Sequence, residues 1–133
     1  MATRSRIGIL YDDGTVDSIY CHWDGYPSHN GKILQQHWTD PDKMAELIAL
    51  GDISSLAAEI GEKHPFDNPH RYDTPEHRAF EAQYQGMVNA YGRDRGETGI
   101  DAVHHATVDE FRAFSCGAEF WYLFCDGEWI VSY

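Results

Sequence analysis

The chain has 133 residues, 42% apolar and 14% aromatic, which suits one folded domain with its own core. Its formal net charge of −12 repels nucleic-acid phosphate, so direct binding to duplex DNA or RNA is not expected. No apolar run approaches the roughly 18 residues of a membrane helix, and no apolar stretch follows the charged segment Met1–Arg6 as it would in a signal peptide. We therefore expect a single cytoplasmic domain over residues 1–133 that does not bind membranes.

The first segment of the chain predicts a β-hairpin. Arg6–Tyr11 and Thr15–Cys21 are rich in apolar and β-branched residues, and they flank Asp12-Asp13-Gly14. An Asp-Gly pair between two such runs is a strong hairpin signal.

Four segments in the middle of the chain are predicted to be helical, from caps and apolar periodicity: Asn30–Trp38, Asp40–Gly51, Thr74–Gly86 and the segment after Thr107. Two of them open with a cap residue followed by proline, which is typical of a helix N-terminus. Thr107 and Glu110 have the spacing of a capping box. Glu62–Asp73, rich in Pro, His, Asn and Asp, predicts an irregular loop, and Met87–Tyr91 is the candidate for a middle strand.

A second hairpin is predicted at the end of the chain. Phe120–Phe124 and Trp129–Tyr133 are aromatic and β-branched, and they flank Asp126-Gly127. Because a lone hairpin is barely stable in water, both hairpins should share one antiparallel sheet, with Trp129 buried in the core. The predicted fold class is α+β: an antiparallel sheet built from the two hairpins plus a middle strand, with three to four helices inserted.

The cysteines and histidines do not form a recognisable metal or disulfide pattern. Cys21, Cys116 and Cys125 are too few and too widely spaced for a disulfide framework or a zinc motif, so we expect reduced thiols. The eight histidines include no His-x-x-x-His pair, and the adjacent His104 and His105 would face opposite ways in a strand. We predict neither a metal site nor a cofactor.

The densest group of versatile side chains lies in the turn between the first hairpin and the first helix. A strand-to-helix turn directs backbone N–H groups at whatever lies above the helix start, which suits an anionic ligand. The alternative is structural: the two aromatics anchor the turn and His22 hydrogen-bonds across it. No phosphate-binding or dinucleotide fingerprint is present. The candidate ligand-binding residues here are His22, Trp23, Asp24, Tyr26, His29 and Lys32.

A second candidate is the arginine pair Arg93 and Arg95 in a Gly-bracketed turn. The pair has the composition of a bidentate anion clamp. Alternatively, Asp94 and Glu97 neutralise both guanidiniums. One shared anion-binding surface with the first turn requires the strands Val16–Cys21 and Met87–Tyr91 to end on the same side of the sheet.

No recognisable catalytic motif is present. The chain lacks a Gly-x-Ser-x-Gly elbow, and Cys116 has no local partner that would activate its thiol. A hydrolytic site with His22 and Asp24 as acid and base, and Arg93 as anion stabiliser, stays an alternative.

Several segments together resemble a group of small phage and prophage proteins of unassigned function, with the run His22-Trp23-Asp24-Gly25-Tyr26-Pro27 as the most distinctive element. The resemblance implies a phage accessory protein, a class that includes inhibitors of host defence, and it supplies no catalytic residues. The segments that carry it are Ser5–Ile9, Ser18–Pro27, Gly31–Leu34, Leu47–Leu56, Ala90–Glu97 and Tyr122–Trp129.

The leading functional hypothesis is therefore a non-enzymatic phage accessory protein that binds and blocks a host component, acting in the host cytoplasm. Its partner is either a host defence protein, captured by the acidic surface, or a small anionic nucleotide, sequestered between the turn and the arginines. The alternative is a small phosphodiesterase-like hydrolase acting on a nucleotide. A homo-oligomer is compatible with the sequence.

Overall fold

Residues 2–114 and 117–132 are described by a computed structural model. The strands are β1 (Ser5–Leu10), β2 (Val16–Cys21), β3 (Ile53–Ser55), β4 (Asn89–Ala90), β5 (Val103–His105), β6 (Phe120–Cys125) and β7 (Glu128–Ser132). The helices are α1 (Lys32–His37), α2 (Pro41–Leu50), α3 (Pro75–Gln83), α4 (Tyr91–Arg95) and α5 (Val108–Ala113), with a π-helical turn, Pro27–Gly31, before α1.

The described strands form one sheet in the order β4-β3-β2-β1-β6-β7, and β5 pairs with the first half of β2. Both predicted hairpins, β1–β2 and β6–β7, are antiparallel and lie in this sheet. The α+β class is thus confirmed. The sheet is mostly antiparallel, but the pairs β1–β6 and β2–β3 are parallel. Local turn signals predict how a hairpin pairs, whereas the alignment of strands distant in sequence depends on the path of the intervening helices.

The two faces of the sheet carry two unequal clusters of buried side chains. The larger cluster packs the strands against α1 and α2, and its fully buried members include Ile7, Ile19, Trp38 and Tyr122. The smaller cluster packs the opposite face against α5 through Val16, Phe111 and Leu123. Alternation along β1, β2 and β6 thus places apolar residues on both faces, as expected for central strands.

The helix caps follow the sequence closely. The Asp40 carboxylate accepts the N–H of Asp42 at the start of α2, and the Thr74 hydroxyl accepts the N–H of His77 at the start of α3. Thr107 accepts the N–H of Glu110, but the Glu110 carboxylate reaches the N–H of Ala106, one residue earlier than in a standard capping box. The Asn30–Trp38 helix is present as α1, and α3 ends at Gln83, before the predicted limit at Gly86.

The middle strand is shorter than predicted. Of Met87–Tyr91, only Asn89 and Ala90 pair with β3, because Tyr91 already begins α4. The three-residue strands β3 and β5 were not predicted, since so few residues carry no readable periodicity.

Two local expectations are confirmed on the described part of the chain. In β5, His104 is exposed and His105 is buried, so the adjacent histidines face opposite ways. Glu62–Asp73 is an irregular loop.

The prediction of a buried Trp129 needs correction. Its ring packs on the core against Phe124 but is only half-buried, because β7 is an edge strand of the sheet.

Cys21 and Cys125 are free thiols, as expected; Cys116 and Tyr133 lie outside the described residues. Across residues 2–114 and 117–132, no helix combines the length and apolar character needed to span a membrane.

Candidate functional site

The first two residues of the turn that follows β2 still form hydrogen bonds with the sheet. The N–H groups of His22 and Trp23 donate to the carbonyls of Ile53 and Ser54, at 3.2 and 3.0 Å. The chain then reverses at Asp24, whose φ of 56° lies in the left-handed region that few residues other than Gly, Asn and Asp adopt. The segment His22–Lys32, called here the aromatic turn, thus starts from a fixed strand end.

A buried asparagine holds the aromatic turn from inside. The Asn30 amide nitrogen donates to the Trp23 carbonyl at 3.2 Å and contacts the Cys21 sulfur at 3.3 Å. Its backbone N–H donates to the carbonyl of Asp24, and its side-chain oxygen lies 2.9 Å from Nδ1 of His29. Asn30 is fully buried, so these bonds are shielded from competition with water.

Gly25 fixes the turn to the rest of the fold. Its N–H donates to the Thr3 carbonyl at 2.8 Å, and its own carbonyl accepts the hydroxyl hydrogen of Tyr122 at 2.5 Å. A Cβ atom at this position would lie 2.8 Å from both the Thr3 oxygen and the Ser5 side chain. Only glycine fits here, because the obstacle includes backbone that cannot move aside.

The predicted ligand-binding side chains of this turn lie at its surface. Trp23 is 44% exposed and Tyr26 is 38% exposed, and Asp24 and Lys32 are exposed as well. Of the structural alternative, the hydrogen bond of His22 is present, to the Tyr20 hydroxyl, while the hydrogen bonds that hold the turn come from Asn30 and Tyr122.

The histidines of the aromatic turn are half-buried and engaged. His22 Nδ1 lies 2.7 Å from the Tyr20 hydroxyl, and the ring meets Trp23 edge-on at 4.7 Å. Among the described residues, no hydrogen bond or ion pair joins His22 to Asp24. The acid–base pair of the hydrolase alternative thus lacks the mutual contact seen in such dyads.

The environment of Cys21 disfavours the reactive thiolate form of its side chain. Burial raises the pKa of its thiol to about 12, despite the Asn30 hydrogen bond that favours the thiolate. Only the thiolate is a good nucleophile, so burial works against a nucleophilic role for Cys21.

The Arg93 guanidinium donates four hydrogen bonds inside the protein. It donates to both carboxylate oxygens of Asp94, at 2.9 and 3.1 Å, and to the carbonyls of Ile60 and Val88. Arg95 lies over the Phe66 ring at 4.8 Å, with its Nε 3.4 Å from the Glu97 carboxylate. These contacts match the interpretation in which acidic neighbours neutralise both arginines.

The carboxylate of Asp94 organises this region. It also accepts the backbone N–H groups of Ala90 and His64. Burial alone would raise its pKa, but the bonds from Arg93 and the two N–H groups outweigh burial and hold the pKa of Asp94 below its ordinary value.

Sheet topology directs the chain away from the aromatic turn where α4 begins. β2 is parallel to β3, and β3 is antiparallel to β4, so β2 and β4 run in opposite directions. The chain therefore leaves β2 and β4 in opposite directions, although the pairs Cys21–Ile53 and Ile53–Ala90 set the last residues of the two strands level with each other. The condition for one anion-binding surface, strands that end on the same side, is not met.

A cavity that the sequence did not predict lies beside β4. It has a volume of about 150 Å³ and lies between the irregular loop, α3 and the strands β3 and β4. The abundance of His and Asn in the loop is a sequence signal that could have indicated this site, but it does not show which residues the loop contacts. The lining residues are Ser55, His64, Pro65, Phe66, Asn68, Phe80, Glu81, Tyr84, Met87 and Asn89.

No metal-ligand cluster of three or more His, Cys, Asp or Glu residues occurs in the part of the chain that the structure describes. Comparison with models of known protein families, with curated proteins and with solved structures gave no match.

Proposed function

We propose that this chain is a phage accessory protein that binds a basic host protein through the aromatic turn and blocks it without catalysis. The observation that carries the proposal is the exposure of Trp23 and Tyr26 on a turn that is otherwise rigidly held. The resemblance of the sequence to small phage proteins supplies the phage origin and the inhibitory role in this proposal.

Exposed aromatics on a rigid support are the residues that dominate binding energy at protein interfaces. Trp and Tyr bury a large area on binding and lose little side-chain entropy. Asn30 and the Tyr122–Gly25 bond hold the backbone before a partner arrives, which lowers the ordering cost of binding. A binding role accounts for the presence of two large aromatics at the surface of this turn.

The charge of the chain favours a basic partner. A net charge of −12 accelerates encounter with a positively charged protein surface, and salt weakens that effect. The nucleotide-sequestration mode loses support because Arg93 already donates to Asp94 and to backbone carbonyls.

The test has two stages. Proteins retained by the immobilised chain from a bacterial lysate are compared with those retained by Trp23→Ala and Tyr26→Ala. The dissociation constant of the purified partner is then measured at low and high salt. We expect each variant to weaken binding by about tenfold or more, and high salt to weaken it further. Tyr72→Ala is the matched control, since Tyr72 is an 83% exposed aromatic outside the turn.

Partner binding that survives both substitutions unchanged would contradict the proposal. A parallel incubation with cyclic nucleotides separates the other classes: stoichiometric retention would favour sequestration, and turnover would favour the hydrolase.

A further inference from the structure

An open groove, called here the acidic groove, lies at the end of the sheet that carries the two hairpin turns. It has a volume of about 370 Å³ and is formed by the ends of β1 and β6, the turns that follow them and the first part of α2. Because β1 and β2 are antiparallel, with Leu10 opposite Val16, the groove lies beside the start of β2. The aromatic turn follows the other end of β2, so the two surfaces are separate.

The parallel register of β1 and β6 brings two acidic turns together. Ile9 lies opposite Phe124, so the two strands end side by side and the chain then turns at Asp12 and at Asp126. Both aspartates line the groove, and both are exposed. Among the described residues that line it, none is Lys, Arg or His, so the walls do not balance this negative charge.

The start of α2 adds to the negative charge. A helix N-terminus itself carries about half a positive charge, but Asp40 and Asp42 at this end of α2 each carry a full negative one. The nearby ammonium of Lys43 donates to the carbonyls of His37 and Ala58, at 2.8 and 2.6 Å. The local field therefore favours a cationic ligand.

The lining of the groove is mainly apolar. Ile9 and Phe124 are its buried members, and Pro41 and Ala45 are exposed along α2. Apolar surface next to carboxylates suits Lys and Arg side chains, whose stems pack on apolar atoms while their charged ends stay in water.

The groove is open to solvent, because most of its lining residues are exposed. One of them, Tyr11, is 40% exposed, and its hydroxyl donates to the Asp17 carboxylate at 2.9 Å, which holds the ring in place before a ligand arrives. Sites for small molecules bury most of the ligand surface, whereas an open groove covers only one side of what it holds. Such a groove suits side chains that belong to a larger partner surface.

We propose that the acidic groove docks a basic segment of a partner protein, in which an apolar side chain is flanked by Lys or Arg residues. The apolar side chain packs on the lining, and the flanking cations pair with Asp12 and Asp126. The groove and the aromatic turn lie at opposite ends of β2, so this docking site does not rest on the proposed function.

The test uses three short peptides that differ in charge or in the central apolar residue: acetyl-Lys-Leu-Lys-amide, acetyl-Gln-Leu-Gln-amide and acetyl-Lys-Gly-Lys-amide. In an NMR titration we expect the first peptide to shift the amides of Tyr11, Asp12, Ala45 and Asp126 to saturation. It should bind about tenfold more tightly than the Gln peptide and about threefold more tightly than the Gly peptide. Salt at about 0.5 M should remove most of the first difference. The absence of saturable shifts, or equal affinities of the first peptide and either of the others, would overturn the proposal.

A double substitution separates the acidic groove from the net charge of the chain. Asp12→Asn combined with Asp126→Asn removes both carboxylates, and Asn also adopts the left-handed backbone of Asp126, whose φ is 50°. We expect this folded variant to bind the Lys-Leu peptide about tenfold more weakly. Asp67→Asn combined with Glu62→Gln removes the same charge from exposed positions of the irregular loop and should bind nearly as the wild type does. An equal loss in both double variants would overturn the assignment.

A second variant blocks the groove without changing its charge. Ala45→Leu places a larger side chain in the groove, and Leu is compatible with the helix α2. We expect it to keep the melting temperature and to weaken binding of the Lys-Leu peptide by about tenfold, as for loss of the apolar contact. Ala49→Leu, at an exposed position one turn further along α2, is the control. Unchanged binding by folded Ala45→Leu would show that the peptide does not occupy the groove.

Two outcomes would identify another ligand or another surface. If n-butylammonium binds as tightly as the Lys-Leu peptide, the groove takes a small amine and the protein partner is overturned. If the shifts are confined to Trp23 and Tyr26, the peptide binds the aromatic turn and the groove is overturned. Trp23→Ala should leave binding to the acidic groove unchanged, so failure here and failure of the aromatic-turn proposal are separable.

Discussion

Tyr122 donates its hydroxyl hydrogen to the carbonyl oxygen of Gly25 at 2.5 Å, which links β6 to the aromatic turn across 97 residues of sequence. Tyr122 is fully buried, and burial raises the pKa of its hydroxyl, which therefore stays protonated and able to donate throughout the physiological range. One bond thus couples the stability of the sheet to the position of the turn.

Tyr122→Phe should lower the free energy of unfolding by about 1–3 kcal/mol, because a buried carbonyl loses its partner. It should also weaken partner binding by loosening the turn. Chemical denaturation and the binding assay measure the two effects. Tyr11→Phe is the matched control, since its hydroxyl bond to Asp17 is exposed and should contribute little. A Tyr122→Phe protein as stable as Tyr11→Phe would show that the bond is unimportant.

Substituting each of the two arginines of α4 with alanine should reduce the stability of the fold by very different amounts. Arg93→Ala leaves the buried Asp94 carboxylate without its counter-ion and should destabilise the fold by about 3–5 kcal/mol. Arg95→Ala removes a half-exposed ion pair with Glu97 and should cost about 0–1 kcal/mol. Urea unfolding of both variants measures the difference; similar stabilities would contradict the role given to Arg93.

Stability should fall as the pH drops through the range in which His105 titrates. Burial, together with the nearby Arg6 charge, lowers the pKa of His105 below its ordinary value of 6.5. Arg6 Nε donates to the Ser18 hydroxyl oxygen, and the Ser18 hydroxyl in turn faces Nε2 of His105 at 2.8 Å. Between the folded and unfolded pKa values the unfolded chain binds a proton that the folded chain does not, so acid favours unfolding.

This contribution to stability is complete above the unfolded pKa of His105 and is lost as the pH falls through the folded one. Unfolding free energies at about pH 7.5 and about pH 5.5 therefore test it. His105→Gln keeps an acceptor for Ser18 but does not titrate, so its stability should change less over the same interval. Equal pH dependence of the variant and the wild type would refute the assignment to His105.

The edge-strand residue Trp129 should stabilise the fold through both packing and a hydrogen bond. Its Nε1 donates to the Trp38 carbonyl at 3.0 Å, and its ring lies 5.2 Å from that of Phe124. Trp129→Ala should cost about 3 kcal/mol, at the low end for a packed aromatic, and Trp129→Phe about 1 kcal/mol from the lost bond. Ile130→Ala, 49% exposed on the other face, serves as the control in thermal melts. An unchanged melting temperature for Trp129→Ala would mean that its ring contributes nothing to the core.

Features that depend on neighbouring residues were readable from the sequence alone. The Asp-Gly turns specify both hairpins, and Asp40, Thr74 and Thr107 specify three helix starts, because each of these signals acts over four residues or fewer. The segment between His22 and Lys32 was also readable as a turn from a strand into a helix, which is its place between β2 and α1.

Features that depend on distant partners were decided by the tertiary structure. The sequence left open whether Arg93 would serve a ligand or Asp94, and the choice follows from burial of Asp94 together with the carbonyls of Ile60 and Val88, which reach Arg93 only in the folded chain. The parallel alignment of β1 with β6 and the cavity beside Asn89 have the same origin. Each brings together segments that are far apart in sequence, and local propensities do not indicate which of these segments will pair or pack together.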